Sequence, residues 1–299
     1  MVWHYTHVLS GLFPPIPTPF VHGELSTERL ADNLALWNRQ PLDGYVVLGS
    51  NGEAPLLDDA ERAAVIRAAR EAIPTERSLI AGAGRESTRA TIHAVKEAFD
   101  LGADAVLVGV PGYYRPVMSD DVLEAHFRAV ADASPGPILL YSVPFFTGLP
   151  LGTALFRRLI GHDKIIGIKD SSGDPASIEA LVAAAKAAGR EASILVGSAR
   201  ALADGVSRGA AGGVLAVANV AARSCVRIAE AARAGDIDEA RRLNRALDPL
   251  TEAVTIKHGI GGLKAALDLL GFHGGLPRPP LPVPSEAARA EIAARLKEL

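Results

Sequence analysis

Short apolar runs alternate along this chain with longer segments whose apolar residues recur every three or four positions. Each run is bounded by glycine, proline or small polar residues, which favours buried strands followed by amphipathic helices. The predicted strands are a short one in the proline-containing segment 8–20 and those at 44–48, 78–81, 105–108, 137–141, 165–169, 193–196 and 212–216. Apolar strands that alternate with helices predict a parallel sheet covered on both faces.

About eight such strand-then-helix units fill the first 220 residues, and eight units fit a closed barrel better than an open sheet. A dinucleotide-binding glycine pattern begins at Gly82 but has Ser87 where its last glycine belongs. Beyond Asn219 only helical patterns follow, and a proline-rich linker at 277–284 separates the last two. We therefore predict an α/β fold, a (β/α)8 TIM barrel at residues 1–220 with a C-terminal helical domain at 221–299.

Composition and charge narrow the class of protein. The net charge of −3 over 299 residues gives no basic footprint for nucleic acid and no attraction to acidic membranes. No apolar run reaches transmembrane length. The single Cys225 cannot form an internal disulfide, which favours a cytoplasmic protein with Cys225 as a small core residue. His4 and His7 lack further ligands at a supporting spacing, so we interpret the start of the chain as an ordinary terminus without a signal peptide.

The apolar run at residues 165–168 ends on Lys169, which is followed by Asp170, two serines and Gly173. Apolar neighbours at the end of a buried strand disfavour the ammonium form of a lysine. The free amine can then attack a ketone and form a Schiff base. The structural alternative is a lysine that extends its head group to water or pairs with Asp170.

In a barrel of this type the carboxyl ends of the strands form one rim, which carries the chemistry. The polar residues that follow the predicted strands are Ser50, Asn51, Tyr113, Tyr114, Tyr141, Lys169, Ser171 and Ser198. This set offers an amine, phenols and hydroxyls but no cluster of metal ligands, which predicts imine chemistry without a metal or other cofactor. A tyrosine near the lysine can shuttle protons, Ser50 can relay them, and the backbone N–H groups of residues 49–52 can hold a carboxylate.

Each rim residue also has a structural interpretation. For Tyr141 it is a buried ring with a hydrogen-bonded hydroxyl. For residues 49–52 it is a tight turn, and for residues 113–115 a packed surface loop. We interpret Glu53, at the start of the next helix, as a dipole or capping partner and not as an acid.

Several motifs on this rim occur together. They are Pro-Thr-Pro-Phe at 17–20, Gly-Ser-Asn-Gly-Glu at 49–53, Tyr-Tyr-Arg-Pro at 113–116, Tyr-Ser-Val-Pro at 141–144, Gly-Ile-Lys-Asp-Ser-Ser at 167–172, and the segment from Gly-Gly at 212–213 to Ala-Asn at 218–219. In these motifs, and over essentially its whole length, the chain resembles the dihydrodipicolinate synthase / N-acetylneuraminate lyase family of class I aldolases.

The resemblance implies a (β/α)8 barrel with a C-terminal helical domain, assembled as a homotetramer or dimer. It implies that Lys169 binds pyruvate as an imine, that Tyr141 shuttles protons and that Ser50 relays them. Tyr113 from a neighbouring subunit is the third member of this group, with Tyr114 as the alternative. The substrate-binding residues that it implies are Gly49, Asn51, Ser171, Val214 and Phe146.

One departure from the family pattern bears on the substrate. Enzymes that make dihydrodipicolinate carry an arginine at the position of Phe146, and a phenyl ring cannot make a bidentate contact to a carboxylate. The positions that respond to feedback by lysine in those enzymes also differ. Histidines and a glutamate are often found there, whereas this chain has Asp59, Arg62 and Ala90. The chain is similar instead to the 4-hydroxy-2-oxoglutarate aldolases, through residues 49–53, 86–88, 141–144, 254–255 and 259–264. Phe146 is unexpected there too, which leaves a larger or more apolar aldehyde open.

The leading hypothesis is a carbon–carbon lyase, a class I aldolase that cleaves or forms a 4-hydroxy-2-oxo acid from pyruvate and an aldehyde. The second is a dihydrodipicolinate synthase or a related sugar-acid lyase or dehydratase. Turnover of aspartate semialdehyde compared with glyoxylate separates these two. The third is a non-catalytic 2-oxo-acid binding protein, which would saturate with pyruvate without turnover.

Overall fold

The computed structural model describes residues 8–298, so His4 and His7 lie outside the described residues. Eight parallel strands form one sheet, with each strand paired to its neighbour in chain order. They are β1 (Gly11–Leu12), β2 (Gly44–Val47), β3 (Ser78–Gly82), β4 (Ala105–Gly109), β5 (Ile138–Ser142), β6 (Ile165–Asp170), β7 (Ser193–Val196) and β8 (Gly212–Gly213). Strand β1 pairs with β8, and Pro15 bridges to Val46 of β2, so the sheet closes on itself. The predicted barrel is confirmed.

Helices connect the strands and continue after the barrel. They are α1 (Thr27–Trp37), α2 (Asp59–Ala72), α3 (Thr88–Asp100), α4 (Asp120–Ala133), α5 (Thr153–Leu159), α6 (Pro175–Ala187), α7 (Leu202–Ser207), α8 (Ala218–Arg233), α9 (Ile237–Thr251), α10 (Gly259–Leu269) and α11 (Glu286–Leu296). Side chains cap the first two helices: Ser26 accepts a hydrogen bond from a first-turn N–H of α1, and Asp58 forms a capping box with Glu61 at α2. No helix within residues 8–298 is long and apolar enough to span a membrane.

Strand β8 is shorter than the predicted 212–216. The N–H of Val214 still bonds to the Val196 carbonyl, at 2.8 Å, but the chain then turns, with Ala218 bonded back to Leu215. Helix α8 begins at Ala218 and contains a non-helical residue at Ala221. The division of the chain at residues 220 and 221 falls on this kink and stays a prediction.

Side-chain alternation along the strands separates two apolar clusters. The barrel interior consists of Phe13, Val46, Ile80, Ala105, Leu107, Leu139, Leu195 and Val214. The larger cluster lies between the sheet and the helices and includes Leu140 of β5 and Ile168 of β6. Because neighbouring residues in a strand face opposite sides, Tyr141 and Lys169, which come directly after these two residues, face the barrel interior. Their Cα atoms are register partners across β5 and β6.

Cys225 lies on α8 with no exposed surface. Burial raises the pKa of its thiol to about 12, which keeps the thiol protonated at neutral pH. The predicted structural role of Cys225 is confirmed.

Candidate active site

Lys169 is the next-to-last residue of β6, and only 3% of it is exposed. Its Nζ lies 4.2 Å from the centroid of the Tyr141 ring. The ring of Tyr141 itself packs on the apolar cluster inside the barrel. The amine is therefore held against a phenol at the carboxyl end of the barrel and does not extend to water.

Asp170 points the other way. Its carboxylate accepts hydrogen bonds from the N–H and Oγ of Ser172, both at 2.9 Å, and from Oγ of Ser177 at 2.7 Å. None of the ion pairs within residues 8–298 joins Asp170 to Lys169, so the pairing interpretation is wrong. The reason is strand alternation: Asp170 faces α6 and fixes the turn after β6, while Lys169 faces the barrel interior.

The hydroxyls of Tyr141 and Ser50 lie 3.3 Å apart, within hydrogen-bond reach. An amine, a phenol and a hydroxyl thus follow one another across β6, β5 and the loop after β2. This is the spatial order that proton relay between Lys169 and Ser50 requires.

The loop after β2 has a constrained backbone. Leu48 and Glu53, on either side of residues 49–52, both have φ of 56°, in the left-handed region that non-glycine residues seldom adopt. The carbonyl of Gly52 accepts a hydrogen bond from Oγ1 of Thr18 at 2.7 Å. On the neighbouring strand, a Cβ at Gly82 would lie 1.9 Å from the Leu48 carbonyl oxygen, so only glycine lets the loop pass. The loop is more than a simple tight turn, because contacts with distant parts of the chain hold its strained backbone in place.

Tyr113 and Tyr114 lie on the outer rim and are 77% and 63% exposed. Their rings meet edge-on, with centroids 5.0 Å apart. In the described part of a single chain, neither tyrosine has a hydrogen bond or ring contact with Tyr141 or Ser50. The structure therefore does not bring Tyr113 into the group formed by Lys169, Tyr141 and Ser50 within one subunit.

Glu86 anchors this tyrosine loop. Its carboxylate accepts the backbone N–H groups of Tyr113, at 2.9 Å, and Gly112, at 3.3 Å. The sequence placed Glu86 in a family motif but gave it no function. The available signal was its position just after β3, on the same rim as Lys169.

The remaining predicted substrate-binding residues fall into two groups. Gly49 and Val214 are buried, and Asn51 and Ser171 are half-buried. The N–H of Ser171 bonds to the Ser142 carbonyl at 2.9 Å, which fixes the turn after β6 beside the end of β5. Phe146 is instead 62% exposed and edge-on to Phe145, in the one-turn helix Pro144–Thr147 that follows β5.

Among residues 8–298, no group of three or more His, Cys, Asp or Glu side chains is arranged to hold a metal ion. The chemistry-bearing groups that do converge are an amine and two hydroxyls at the carboxyl end of a parallel barrel. This arrangement is typical of barrel enzymes that use a nucleophilic lysine.

The chain belongs to the dihydrodipicolinate synthetase family, whose model matches residues 8–299. It is 36% identical over 297 residues to a probable mitochondrial 4-hydroxy-2-oxoglutarate aldolase of Emericella nidulans, covering 97% of this chain and 94% of that protein. It is 38% identical over 272 residues to 4-hydroxy-tetrahydrodipicolinate synthase 1 of Streptomyces coelicolor, covering 90% and 84%. The predicted family is confirmed, and with it the class of the enzyme, a carbon–carbon lyase.

A solved structure extends this likeness to three dimensions. The chloride-inhibited dihydrodipicolinate synthase of Acinetobacter baumannii, complexed with pyruvate, superposes with a TM-score of 0.89. The match covers 98% of this chain and 99% of that one, at 28% identity. Relatives of both activities are similarly close in sequence, so the family alone does not select the second substrate.

Proposed function

We propose that this protein is a class I aldolase that cleaves or forms a 4-hydroxy-2-oxo acid through a pyruvate imine on Lys169. The observation that carries the proposal is the continuous group of Lys169, Tyr141 and Ser50. The amine lies 4.2 Å from the phenol ring, and the phenol hydroxyl lies 3.3 Å from the serine hydroxyl. The pyruvate complex of a solved relative agrees with a 2-oxo acid as the common substrate.

In the forming direction, Nζ of Lys169 attacks the C2 carbonyl of pyruvate and gives a carbinolamine. Loss of water leaves the imine, which serves as the electron sink, so the reaction requires no metal or other cofactor. Removal of a C3 proton gives the enamine, whose C3 attacks the aldehyde carbon and forms the new carbon–carbon bond. Hydrolysis of the product imine restores the amine, and cleavage is the reverse sequence.

The phenol of Tyr141 is the group that moves protons in these steps. It protonates the carbinolamine hydroxyl so that water can leave, and it protonates the new alkoxide after carbon–carbon bond formation. Ser50 relays the proton to and from Tyr141. We assign the half-buried Asn51 and Ser171, with the backbone of Gly49, to binding a carboxylate of the substrate, and the buried Val214 to the apolar side of the same site.

We place Tyr113 in the site of a neighbouring subunit, in a homotetramer or dimer. Its side chain is 77% exposed, and Glu86 holds its backbone at the rim. A phenol presented to solvent on an anchored loop suits a contact across a subunit boundary. Tyr114 is nearly as exposed and is the alternative.

The alternative activity is 4-hydroxy-tetrahydrodipicolinate synthesis, which the Streptomyces relative supports. Phe146 opposes it, because an apolar ring offers no hydrogen bond to the carboxylate of aspartate semialdehyde. We therefore favour a larger and more apolar aldehyde, or glyoxylate with its carboxylate held by Asn51 and Ser171 instead, as the second substrate.

The test is borohydride reduction in the presence of pyruvate, followed by intact-mass measurement and peptide mapping. We expect one pyruvate adduct per chain, on Lys169. Turnover is then measured with pyruvate plus glyoxylate, aspartate semialdehyde and apolar aldehydes. A folded sample without any adduct would contradict the imine, and preferred turnover of aspartate semialdehyde would favour the alternative activity.

Replacing Phe146 with arginine is expected to raise kcat/KM for carboxylate-bearing aldehydes about tenfold relative to apolar ones, because a charge-assisted hydrogen bond becomes available. The measurement is the ratio of kcat/KM values for the two kinds of aldehyde. The matched control is Phe145→Arg, which adds the same charge at the neighbouring and more exposed ring. An equal change in both variants would point to a general charge effect and not to position 146.

A further inference from the structure

Glu53 and Lys264 form an ion pair that is closed to solvent. Glu53 immediately follows the loop that carries Ser50, and Lys264 lies on α10, beyond the barrel. The two residues are 1% and 0% exposed, and their side chains are in direct contact. The Glu53 side chain makes no capping hydrogen bond to the short helix that it precedes, so the capping interpretation is wrong. Its carboxylate is directed into the protein toward a lysine that is distant in sequence.

The linker between α10 and α11 completes this network. The N–H of Arg278 donates to the other carboxylate oxygen of Glu53 at 2.7 Å. Nζ of Lys264 donates to the Leu276 carbonyl at 3.1 Å and lies 4.4 Å from the centroid of the Phe20 ring. The Glu53 carboxylate thus pairs with the Lys264 ammonium and accepts a backbone hydrogen bond from Arg278, and both partners belong to the C-terminal part of the chain.

The side chain of Arg278 fastens the same linker to the barrel. Its guanidinium binds both carboxylate oxygens of Glu61, at 2.6 and 2.7 Å, and the carbonyls of Leu56 and Gly23. Burial lowers the pKa of Lys264, and the nearby Glu53 carboxylate opposes that shift. The ion pair is therefore what favours a charged ammonium in this dry position.

The network acts on the backbone that positions Ser50. The N–H of Glu53 donates to the Ser50 carbonyl at 3.1 Å, so the two residues belong to one turn. Glu53 has a left-handed φ of 56°, which a non-glycine residue keeps only when surrounding contacts hold it. Within residues 8–298, the hydrogen bond and ion pair that its side chain makes are those with the backbone N–H of Arg278 and with Lys264.

We propose that the buried Glu53–Lys264 pair is a positioning element for Ser50, through which the C-terminal helices hold the serine hydroxyl at Tyr141. This inference rests on the proposed function, because it assigns Ser50 to proton relay. A buried ion pair is not required for stability, since a well-packed apolar pair of similar volume is often as stable. What the pair adds here is a fixed direction for the turn that carries Ser50.

The first test is Glu53→Gln, which keeps the shape of the side chain and removes its charge. We expect kcat to fall by roughly 10- to 100-fold, as small displacements of proton-transfer groups do. Borohydride trapping of pyruvate on Lys169 should persist. In a Ser50→Ala background the same substitution should lower kcat by less than about threefold, because the group it positions is already absent.

Stability is separated from positioning by the double variant Glu53→Gln with Lys264→Met, which leaves no unpaired buried charge. We expect its melting temperature to recover most of what Glu53→Gln alone loses, while kcat stays low. If Glu53→Gln alone does not fold, the double variant is compared with and without Ser50→Ala in its place. Asp204→Asn, which breaks an ion pair with Arg241 at a distant surface, should leave kcat unchanged.

Two results would overturn the proposal. One is a loss in the Ser50→Ala background as large as in the wild type, and the other is kcat that recovers together with the melting temperature. Failure of the proposed function would look different: the unmodified enzyme itself would give no pyruvate adduct.

Discussion

Replacing Lys169 with methionine is expected to abolish the pyruvate adduct and to lower turnover by at least about 10⁴-fold, because the amine that forms the imine is lost. Methionine has a similar length and packs well in apolar surroundings, so the barrel should remain folded. Lys169 is only 3% exposed, so its substitution removes the amine from the barrel mouth without exposing new surface. The measurements are intact mass after borohydride reduction and steady-state turnover on the same sample.

Two controls make this result specific. Lys169→Arg places a cation against the Tyr141 ring but cannot form a Schiff base, so it should be as inactive as the methionine variant. Lys186→Met removes an exposed lysine on α6 and should leave both the adduct and turnover as in the wild type. Turnover by Lys169→Arg within tenfold of the wild type would show that charge, and not imine formation, is the function of Lys169.

Much of the fold was predictable because periodicity reports burial on one or both faces of an element. The strand at 193–196 has the predicted bounds, and the strand predicted at 105–108 ends one residue later, at Gly109. Strand β8 was predicted too long. Residues 214–216 are apolar because Val214 packs inside the barrel while Leu215 and Ala216 pack in the larger cluster. An apolar run does not reveal where backbone pairing ends.

The site was predictable only where one rule places residues together. Carboxyl ends of barrel strands converge, and that rule was sufficient to join Lys169, Tyr141 and Ser50. Glu53 was misinterpreted because its local position fits a cap, whereas its partners lie far away in sequence: Arg278 is 225 residues distant. No periodicity or motif spacing encodes such a contact, since it exists only once the C-terminal linker closes on the barrel.

Replacing Tyr141 with phenylalanine has the second-largest expected effect. The ring and its contact with Lys169 are kept, and only the hydroxyl that faces Ser50 is lost. We expect kcat to fall by roughly 10²- to 10⁴-fold, the usual contribution of a positioned proton-transfer group. The pyruvate adduct should still form on Lys169, but more slowly, because a water molecule then has to deliver the proton that lets the carbinolamine hydroxyl leave as water.

The matched control is Tyr45→Phe, which removes a phenol from another strand of the same barrel. The hydroxyl of Tyr45 forms hydrogen bonds with Asn38 and Arg77, on the far side of the barrel from the rim. Its loss should lower stability but leave kcat within about threefold of the wild type, as expected for a change away from the site.

If Tyr141→Phe slowed adduct formation and kcat by the same factor, proton transfer in imine formation would limit turnover. If kcat fell much further than the rate of adduct formation, Tyr141 would act chiefly in the carbon–carbon bond step. Equal activity of Tyr141→Phe and the wild type would remove Tyr141 from the mechanism and leave Lys169 without an identified proton partner.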